Sequence, residues 1–428
     1  MGPHMKFFAT CAKGTEGALR KELAAAGLKH LKGERGGVHF GGTLEAGMRA
    51  CLHSRTAMRV LLEVATFPAP DRDGLYEGAR AAEWTEWLTP KHTFAVEANV
   101  ASATLTHSGF AALVVKDAVV DALRESAGDR PNVDPKDPDV LLVLHVARDQ
   151  ATLSLDLAGH PLHRRGYRAA MTKAPLKETL GAAMLSLGGV ALDAPFVDPM
   201  AGSGTLAIEQ ALRARRIPPG LGRSFGFQRW PAYRGGPQSI WDRLRAEARS
   251  NVLPSAPAPI LARDLNPKAV AAIQENAQAA GVAGDIVVER GDARDLVPGQ
   301  TPGTICTNPP YGERLGGVDR SDGPPPRQDR RDRPPDRRGA HGRDRGRPSR
   351  EAEPEEVDPY VAEKKLVGFY RGVAEMLERH AGWTAVILSG NTALQQALPW
   401  RPEVDHKLWN GPLEVHLLRY AIPARRER

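Results

Sequence analysis

The chain has 428 residues, of which 41% are hydrophobic and 25% are charged, and its formal net charge is +7. These proportions are those of a globular protein of roughly two to four domains, and they exclude a wholly disordered chain. The excess of Lys and Arg favours a polyanionic partner, whereas three cysteines without metal-ligand spacing argue against a disulfide framework or a zinc site. From the cysteine spacing we expect no metal site. No apolar run reaches the roughly 18 residues of a membrane span and no signal-peptide pattern is present, so we expect a cytoplasmic protein.

Residues 1–67 and 68–158 have the pattern of two small α+β units. Short apolar or alternating runs indicate strands, and apolar residues on one face of a longer run indicate a helix in each unit. The predicted strands lie at 7–9, 38–40, 60–62, 94–98, 141–146 and 151–156, and the predicted helices at 19–28 and 110–123.

A basic connector, residues 159–180, follows these units. It combines cations with an aromatic ring, a composition typical of contacts with nucleic-acid phosphates and bases. A solvated linker is the alternative, and composition alone does not separate the two. The candidate RNA-binding residues are His163, Arg164, Arg165, Tyr167, Arg168 and Lys173.

The last region, residues 181–428, repeats strand, glycine turn and helix. This alternation predicts an α/β domain with a parallel sheet covered on both faces. A run at 413–418 follows the turn signal Asn410-Gly411 and is predicted to be an antiparallel edge strand. The other predicted strands lie at 195–198, 259–264, 285–289, 303–307 and 384–388, and the predicted helices at 205–214, 267–280 and 360–379.

Two segments interrupt this alternation. A stretch rich in Pro, Gly and Arg at about 215–259 is predicted to be an insertion between a helix and a strand. Residues 319–358 contain almost no apolar side chain, so they cannot bury enough surface to offset their ordering entropy and are predicted to be disordered. The arginine-rich first half of this second segment could hold RNA loosely, or the whole segment could be a solvated insert.

Candidate chemistry begins where the first of these strands ends, at Asp198. The turn Gly202-Ser203-Gly204 follows, and a helix then begins, so backbone N–H groups can approach a ligand closely. This crevice of an open α/β sheet is where nucleotides bind. The third glycine of the dinucleotide fingerprint is absent, which argues against hydride transfer. A purely structural turn is the alternative.

Acidic residues follow the next two strands as well. Asp264 can accept hydrogen bonds from both hydroxyls of a ribose. In Gly291-Asp292-Ala293 the carboxylate can accept a hydrogen bond from an adenine amino group, or it can simply cap a helix.

The segment Asn308-Pro309-Pro310-Tyr311 decides between these alternatives. The prolines fix the backbone, so the Asn308 side-chain oxygen and the Pro309 carbonyl can both accept hydrogen bonds from one flat amino group. Holding both N–H bonds localises the nitrogen lone pair and aims it at a methyl donor, mainly through orientation and electrostatics. Tyr311 can stack on an extruded base. This pattern predicts methylation of an exocyclic base nitrogen.

Two motifs and a junction resemble the class I RNA guanine-N2 methyltransferases that carry a THUMP domain, and among them the bacterial 23S ribosomal RNA enzymes. The motifs are Asp198-Pro199-Met200-Ala201-Gly202-Ser203-Gly204-Thr205 and Asn308-Pro309-Pro310-Tyr311-Gly312-Glu313-Arg314-Leu315. The junction consists of residues 155–168 and 174–180. The resemblance covers nearly the whole chain except residues 319–358.

The resemblance implies a ferredoxin-like domain, a THUMP domain and a Rossmann-like methyltransferase domain that uses S-adenosylmethionine. It also implies that residues 200–205 hold the methionine part of that cofactor, that Asp264 holds the ribose and Asp292 the adenine, and that residues 308–311 hold the base. The cofactor-binding residues expected from the resemblance are Asp198, Met200, Ala201, Gly202, Ser203, Gly204, Thr205, Asp264, Leu265, Asp292, Ala293 and Asn308.

The function expected from this resemblance is methylation of guanine N2 in 23S ribosomal RNA by a monomer. The RNA partner is either naked RNA or an assembling large ribosomal subunit. A tRNA guanine-N2 methyltransferase is the near alternative, and a non-catalytic ribosome-assembly factor is the alternative from another class. Ala201 replaces a cysteine that is frequent in the family, and this chain carries one methyltransferase domain where some relatives carry two.

Overall fold

The computed structural model describes residues 4–101, 105–170, 176–310 and 359–424, and within it residues 359–365 as helix backbone only. The described residues form two sheets. The segment 319–358, for which disorder is predicted, lies outside the described residues, as do Lys173 and Tyr311. No helix among the described residues is long and apolar enough to span a membrane.

The N-terminal sheet has eight strands among the described residues, in the order β2-β3-β1-β4-β8-β7-β5-β6. Phe7 and Ala9 of its strand β1 are buried, at 1% and 0% exposure, as the alternating apolar pattern predicts. The strands are β1 (Met5–Thr10), β2 (Lys29–Glu34), β3 (Gly37–Gly42), β4 (Arg59–Pro68), β5 (Thr93–Ala101), β6 (Asn132–Val133), β7 (Val140–Ala147) and β8 (Gln150–Asp156). The helices packed with them are α1 (Glu16–Ala25), α2 (Leu44–His53), α3 (Arg72–Arg80) and α4 (Ser108–Ala127).

Strand β4 joins the two predicted N-terminal units. It pairs antiparallel with β1 through residues 59–62 and antiparallel with β8 through residues 61–68. The boundary that the sequence predicts between residues 67 and 68 therefore falls at the end of a strand that both units share. The two units are the two halves of one continuous sheet.

The C-terminal sheet has seven strands within the described chain, in the order β11-β10-β9-β12-β13-β15-β14. The first five are parallel and the last two form an antiparallel hairpin, which confirms the predicted α/β class. The strands are β9 (Phe196–Asp198), β10 (Ile260–Asp264), β11 (Ile286–Arg290), β12 (Thr304–Thr307), β13 (Thr384–Ser389), β14 (Val404–Asn410) and β15 (Leu413–Ala421). The helices in this part of the sequence are α5 (Glu178–Leu187), α6 (Thr205–Ala214), α7 (Gly236–Ser250), α8 (Pro267–Ala279), α9 (Pro359–Arg379) and α10 (Ala393–Ala397).

The prediction of an edge strand at 413–418 was wrong in its position. The strand exists as β15 and is antiparallel, but it lies between β13 and β14. The turn at Asn410-Gly411 leads from β14 into β15, and Gly411 has a φ of +63°, which suits a tight hairpin turn. Strand β14 is half exposed and lacks an apolar run, so its sequence gives little strand signal.

The insertion predicted at 215–259 is present, but it packs on the N-terminal half. Its helix α7 contributes Trp241, and the segment before it contributes Phe227 and Trp230, to the core that also contains Phe7 and Leu62. Trp230 and Trp241 are each 1% exposed. The predicted domain of residues 181–428 therefore includes a segment that belongs, by packing, to the N-terminal half.

Candidate active site at the carboxyl edge of the parallel sheet

Four neighbouring parallel strands end at one edge of the C-terminal sheet, and the predicted site residues follow them. Asp198 ends β9 and Asp264 ends β10, while Asp292 follows β11 and Asn308 follows β12. Because parallel strands share a carboxyl edge, side chains distant in sequence meet there. Direct contact is visible between the first two segments, since the Gly202 N–H donates to Asp264 Oδ2 at 2.8 Å and the Ala201 N–H to the Arg263 carbonyl at 2.9 Å.

The turn between β9 and α6 depends on two glycines. Gly202 and Gly204 have φ values of +56° and +84°, in the left-handed region that side chains other than glycine rarely adopt. Gly204 is the residue before the first turn of α6, and no side chain caps that helix. The first N–H groups of α6 are therefore left for a ligand at this edge.

Asp198 lies beneath this turn and is 1% exposed. Its Oδ1 accepts a hydrogen bond from the Met200 N–H at 3.2 Å. Burial raises the pKa of Asp198 to about 7, against the lowering by the nearby Thr307 hydroxyl and Met200 amide, while Asp264 raises it further. In this position the carboxyl supports the turn from below.

Asp264 is half-buried and ties two backbone segments together. Its Oδ2 accepts the Gly202 N–H, and its Oδ1 accepts the Asn266 N–H at 2.9 Å. Each carboxylate oxygen has a further lone pair and can accept a second hydrogen bond. Leu265, next in the chain, is 60% exposed and offers apolar surface at the same edge.

Asp292 both caps a short helical turn and forms an ion pair. Its Oδ1 accepts from the Arg294 N–H at 2.9 Å, and its Oδ2 accepts from Arg294 Nη2 at 2.6 Å. The Arg294 side chain is the largest cause of the lowered pKa of Asp292. The capping alternative is therefore present in the structure, and the carboxylate stays ionised and able to accept. Ala293 beside it is buried.

The Asn308-Pro309-Pro310 corner carries a buried acceptor to which none of the described residues donates. No described residue donates a hydrogen bond to Asn308 Oδ1, although that atom is inaccessible to water. The Tyr370 hydroxyl of α9 donates to the Pro310 carbonyl at 2.8 Å and so ties the corner to that helix. Buried acceptors are almost always satisfied in folded proteins, and one left open at a strand end indicates a site where a ligand donates.

The connector residues occupy positions that the sequence did not suggest. Arg164 is exposed and His163 is half-buried with a lowered pKa, caused mainly by burial. Arg165 and Tyr167 point inward to Glu209, whose Oε1 accepts from them at 3.5 Å and 3.1 Å.

Arg168 also points inward, and its Nε donates to Glu178 Oε1 at 2.8 Å. The structure therefore places the side chains of Arg165, Tyr167 and Arg168 in internal ion pairs and hydrogen bonds. They are engaged there with internal partners, which composition did not suggest, and their contact with RNA stays a prediction. A buried arginine must be paired, and these are.

Three family models match successive parts of the chain. Residues 6–61 match the RlmL ferredoxin-like domain, residues 69–156 match the THUMP domain, and residues 165–322 match the RMKL-like methyltransferase domain. The chain therefore carries a ferredoxin-like domain, a THUMP domain and a methyltransferase domain in succession. This confirms the resemblance noted from the sequence, and the fold is that of S-adenosylmethionine-dependent methyltransferases.

Curated relatives of this THUMP-domain methyltransferase carry the name ribosomal RNA large subunit methyltransferase K/L. The relative from Syntrophotalea carbinolica is 40% identical over 100% of this chain, and that from Methylococcus capsulatus is 38% identical over 98%. The chain spans 55% and 52% of these two proteins, which is about half of their length.

Solved structures share the whole fold. SMU.472, a methyltransferase complexed with SAH, has a TM-score of 0.82 and 27% identity, and the match covers 100% of both chains. A protein from Listeria monocytogenes named as an N6-adenine-specific DNA methylase has a TM-score of 0.78 and 27% identity over 98% of this chain and 97% of that one.

Sequence reasoning missed two residues that hold this methyltransferase site together. Asn276 of α8 is 0% exposed and bonds to the backbone of residues 169, 170 and 203, and Tyr370 of α9 bonds to Pro310. An asparagine in the middle of an otherwise apolar helix face was a usable signal, because such a residue needs buried partners. No comparable signal marked Tyr370. Among the described residues, no group of three or more His, Cys, Asp or Glu could hold a metal ion.

Proposed function

We propose that this chain transfers a methyl group from S-adenosylmethionine to N2 of guanine in 23S ribosomal RNA. The observation that carries the proposal is the buried Oδ1 of Asn308, which has no partner within the described ranges and lies beside two prolines at the end of β12. Asn308 follows β12, and β12 pairs with β9. The end of β9 leads into the glycine turn. An open acceptor next to an open helix N-terminus suits an amino group presented to a bound cofactor.

The residues around the glycine turn fit S-adenosylmethionine. Its methionine part would lie against the backbone of residues 200–205 and the uncapped start of α6, where the N–H groups of Ser203 and Thr205 donate to no described residue. Asp264 would accept from the ribose hydroxyls, Asp292 and Ala293 would face the adenine, and Leu265 would offer apolar surface to that ring. The bound cofactor supplies an electrophilic methyl group on a sulfonium.

The amine clamp would consist of Asn308 Oδ1 and the Pro309 carbonyl. Each would accept one N–H of the guanine amino group, which turns the nitrogen lone pair out of conjugation with the ring and towards the methyl carbon. The cofactor would supply the methyl group to this nitrogen and would leave as the neutral thioether, and the amine proton would be released to water. No strong general base is required, because the methylated nitrogen is acidic while it is cationic. Tyr311 would stack on the extruded base.

The assignment of ribosomal RNA as the substrate rests on the names of the curated relatives, and those proteins are about twice as long as this chain. The THUMP half and the exposed Arg164, with His163 and Lys173, would contact RNA phosphates. Such a reaction would take place in the cytoplasm. The choice of guanine as the target base rests on the family resemblance, because two acceptors can bind any exocyclic amine. The name of the Listeria protein, for example, specifies the amino group of adenine as its target.

The test is incubation of the chain with methyl-labelled S-adenosylmethionine and separated unmodified 23S RNA, 16S RNA and tRNA. Digestion and mass identification of the labelled nucleoside determine base, atom and RNA class together. We expect N2-methylguanosine from 23S RNA. Label in N6-methyladenosine would refute the base assignment, label confined to tRNA would refute the RNA class, and a chain that binds cofactor without methylating any RNA would favour an assembly factor.

A further inference from the structure

The connector reaches the glycine turn through one guanidinium. Arg168 Nη1 donates to Ser203 Oγ at 2.9 Å, and Arg168 Nη2 donates to Thr205 Oγ1 at 3.2 Å. These two hydroxyls flank Gly204, the residue that precedes α6. The same guanidinium donates to Glu178 Oε1 at 2.8 Å and to the Leu176 carbonyl at 3.0 Å, so one side chain joins α5 to the turn.

A second side chain holds the same turn from α8. Asn276 Oδ1 accepts the N–H groups of Ala169 and Ala170 at 2.9 Å and 3.0 Å. Its Nδ2 donates to the carbonyls of Ala170 at 3.1 Å and Ser203 at 3.0 Å. Both donors and both acceptor sites of the amide are thereby used. Ser203 is consequently held at its hydroxyl by Arg168 and at its carbonyl by Asn276.

We propose that Arg168 and Asn276 are positioning residues that hold the Gly202-Ser203-Gly204 turn ready for the cofactor. The inference rests on the proposed cofactor site. A turn with two glycines loses much conformational freedom on binding a ligand, and interactions that order it beforehand lower that cost. The Gly202 and Gly204 N–H groups donate to Asp264 and to the Ala201 carbonyl. Because the Ser203 and Thr205 hydroxyls point inward to Arg168, the turn can present the N–H groups of these two residues to the ligand.

The alternative is that the Arg168–Glu178 pair only stabilises the fold. Both readings predict a loss of thermal stability when Arg168 is changed, so stability alone does not separate them. Cofactor affinity does, because a purely structural pair elsewhere in the domain would leave it unchanged. The chain offers such a pair at the other end of α6.

Arg215 is the matched control. It follows the last residue of α6, and its Nη1 lies 3.1 Å from Asp285 Oδ2. The side chains of this pair are 17% and 5% exposed, against 15% and 5% for Arg168 and Glu178. The two arginines are thus equally buried and equally paired, but only Arg168 contacts the turn.

The experiment is calorimetric titration of the full chain with S-adenosylhomocysteine (SAH), together with thermal unfolding. We expect Arg168→Lys to weaken SAH binding about tenfold, because an ammonium can pair with Glu178 but cannot reach both hydroxyls as a fork. We expect Arg215→Lys to bind SAH within about twofold of the wild type while losing similar thermal stability. Equal weakening by both variants, or none by Arg168→Lys, would overturn the proposal.

Ser203→Ala removes the acceptor and leaves the guanidinium in place. We expect it to weaken SAH binding several-fold and to be non-additive with Arg168→Lys, since both remove the same contact. If Arg168→Lys does not fold, Ser203→Ala decides alone, and unchanged SAH affinity in that variant rejects the inference. A wild-type chain that does not bind SAH would instead refute the cofactor site itself.

Discussion

Replacing Asn308 by alanine separates catalysis from folding and cofactor binding. The substitution removes the acceptor that is proposed to hold the target amine, and loss of one preorganised hydrogen-bond partner of a transition state typically lowers kcat by about 10²–10³. We therefore expect the methylation rate of Asn308→Ala to fall by about that factor. Affinity for SAH should stay within about threefold, because the glycine turn and the two acids are untouched.

The structure also gives the expected change in stability. Asn308 Oδ1 is buried and accepts no hydrogen bond from any described residue. An unsatisfied buried acceptor costs about 1–3 kcal/mol, so its removal should leave the free energy of unfolding unchanged or raise it slightly. Asn276→Ala is the matched control. It leaves two partly buried N–H groups and the buried Ser203 carbonyl without their partner, and we expect it to lower the free energy of unfolding by about 2 kcal/mol.

Single-turnover methylation of the RNA substrate, SAH calorimetry and urea unfolding measure the three quantities. The reasoning predicts an inactive, cofactor-binding and stable Asn308→Ala variant. Turnover at the wild-type rate would refute the amine clamp. A loss of stability equal to that of Asn276→Ala would show that the Asn308 side chain has a structural partner after all.

Three further predictions concern residues around this edge. Burial raises the pKa of Asp198 from 3.8 to about 7, so the stability that the protonated carboxyl contributes is complete below about pH 4 and is lost as the pH rises through about 7. The Asp198→Asn variant lacks this titration. In urea unfolding, its stability relative to the wild type should therefore increase by roughly 4 kcal/mol between about pH 4 and pH 8. Gly204→Ala, at a φ of +84°, should lose about 1–2 kcal/mol of unfolding free energy and weaken SAH binding in calorimetry, whereas Gly368→Ala, in open space on α9, should gain about 0.5–1 kcal/mol. Tyr370→Phe removes the 2.8 Å hydrogen bond to Pro310 and should lower kcat about tenfold in steady-state assays at unchanged SAH affinity; a weakened affinity would instead assign Tyr370 to the cofactor pocket.

The strongly periodic elements were predictable from the sequence, and the weakly patterned ones were not. Helix α6 occupies the predicted residues 205–214, and α8 and β10 begin or end within one residue of their predicted bounds. Strand β2 was missed because five of its six residues are exposed, so no apolar alternation marks it. Helix α2 was missed because ten residues with an internal glycine give too short a pattern.

The site was predictable wherever a rule of sheet topology applied. Acids and an asparagine that follow parallel strands must share an edge, and the structure brings Asp264 into contact with the glycine turn. The partners of the connector arginines were not predictable, because composition does not say whether an arginine faces water. Arg168 is held by Glu178 and by the Ser203 and Thr205 hydroxyls, and only the fold brings those partners to it. The roles assigned to individual cofactor and base contacts stay predictions.

The insertion at 215–259 affects whether the two halves of the chain can be separated and still fold. The chain leaves the parallel sheet after α6, inserts Phe227, Trp230 and Trp241 into the other half, and then returns to form β10. Cleavage at the connector would therefore leave a cavity in the core of the amino-terminal fragment, where Trp230 and Trp241 pack. In the carboxyl-terminal fragment these two side chains would be exposed to water. We therefore expect neither fragment to fold stably by itself, and we expect recombination or truncation at that junction to give unstable products.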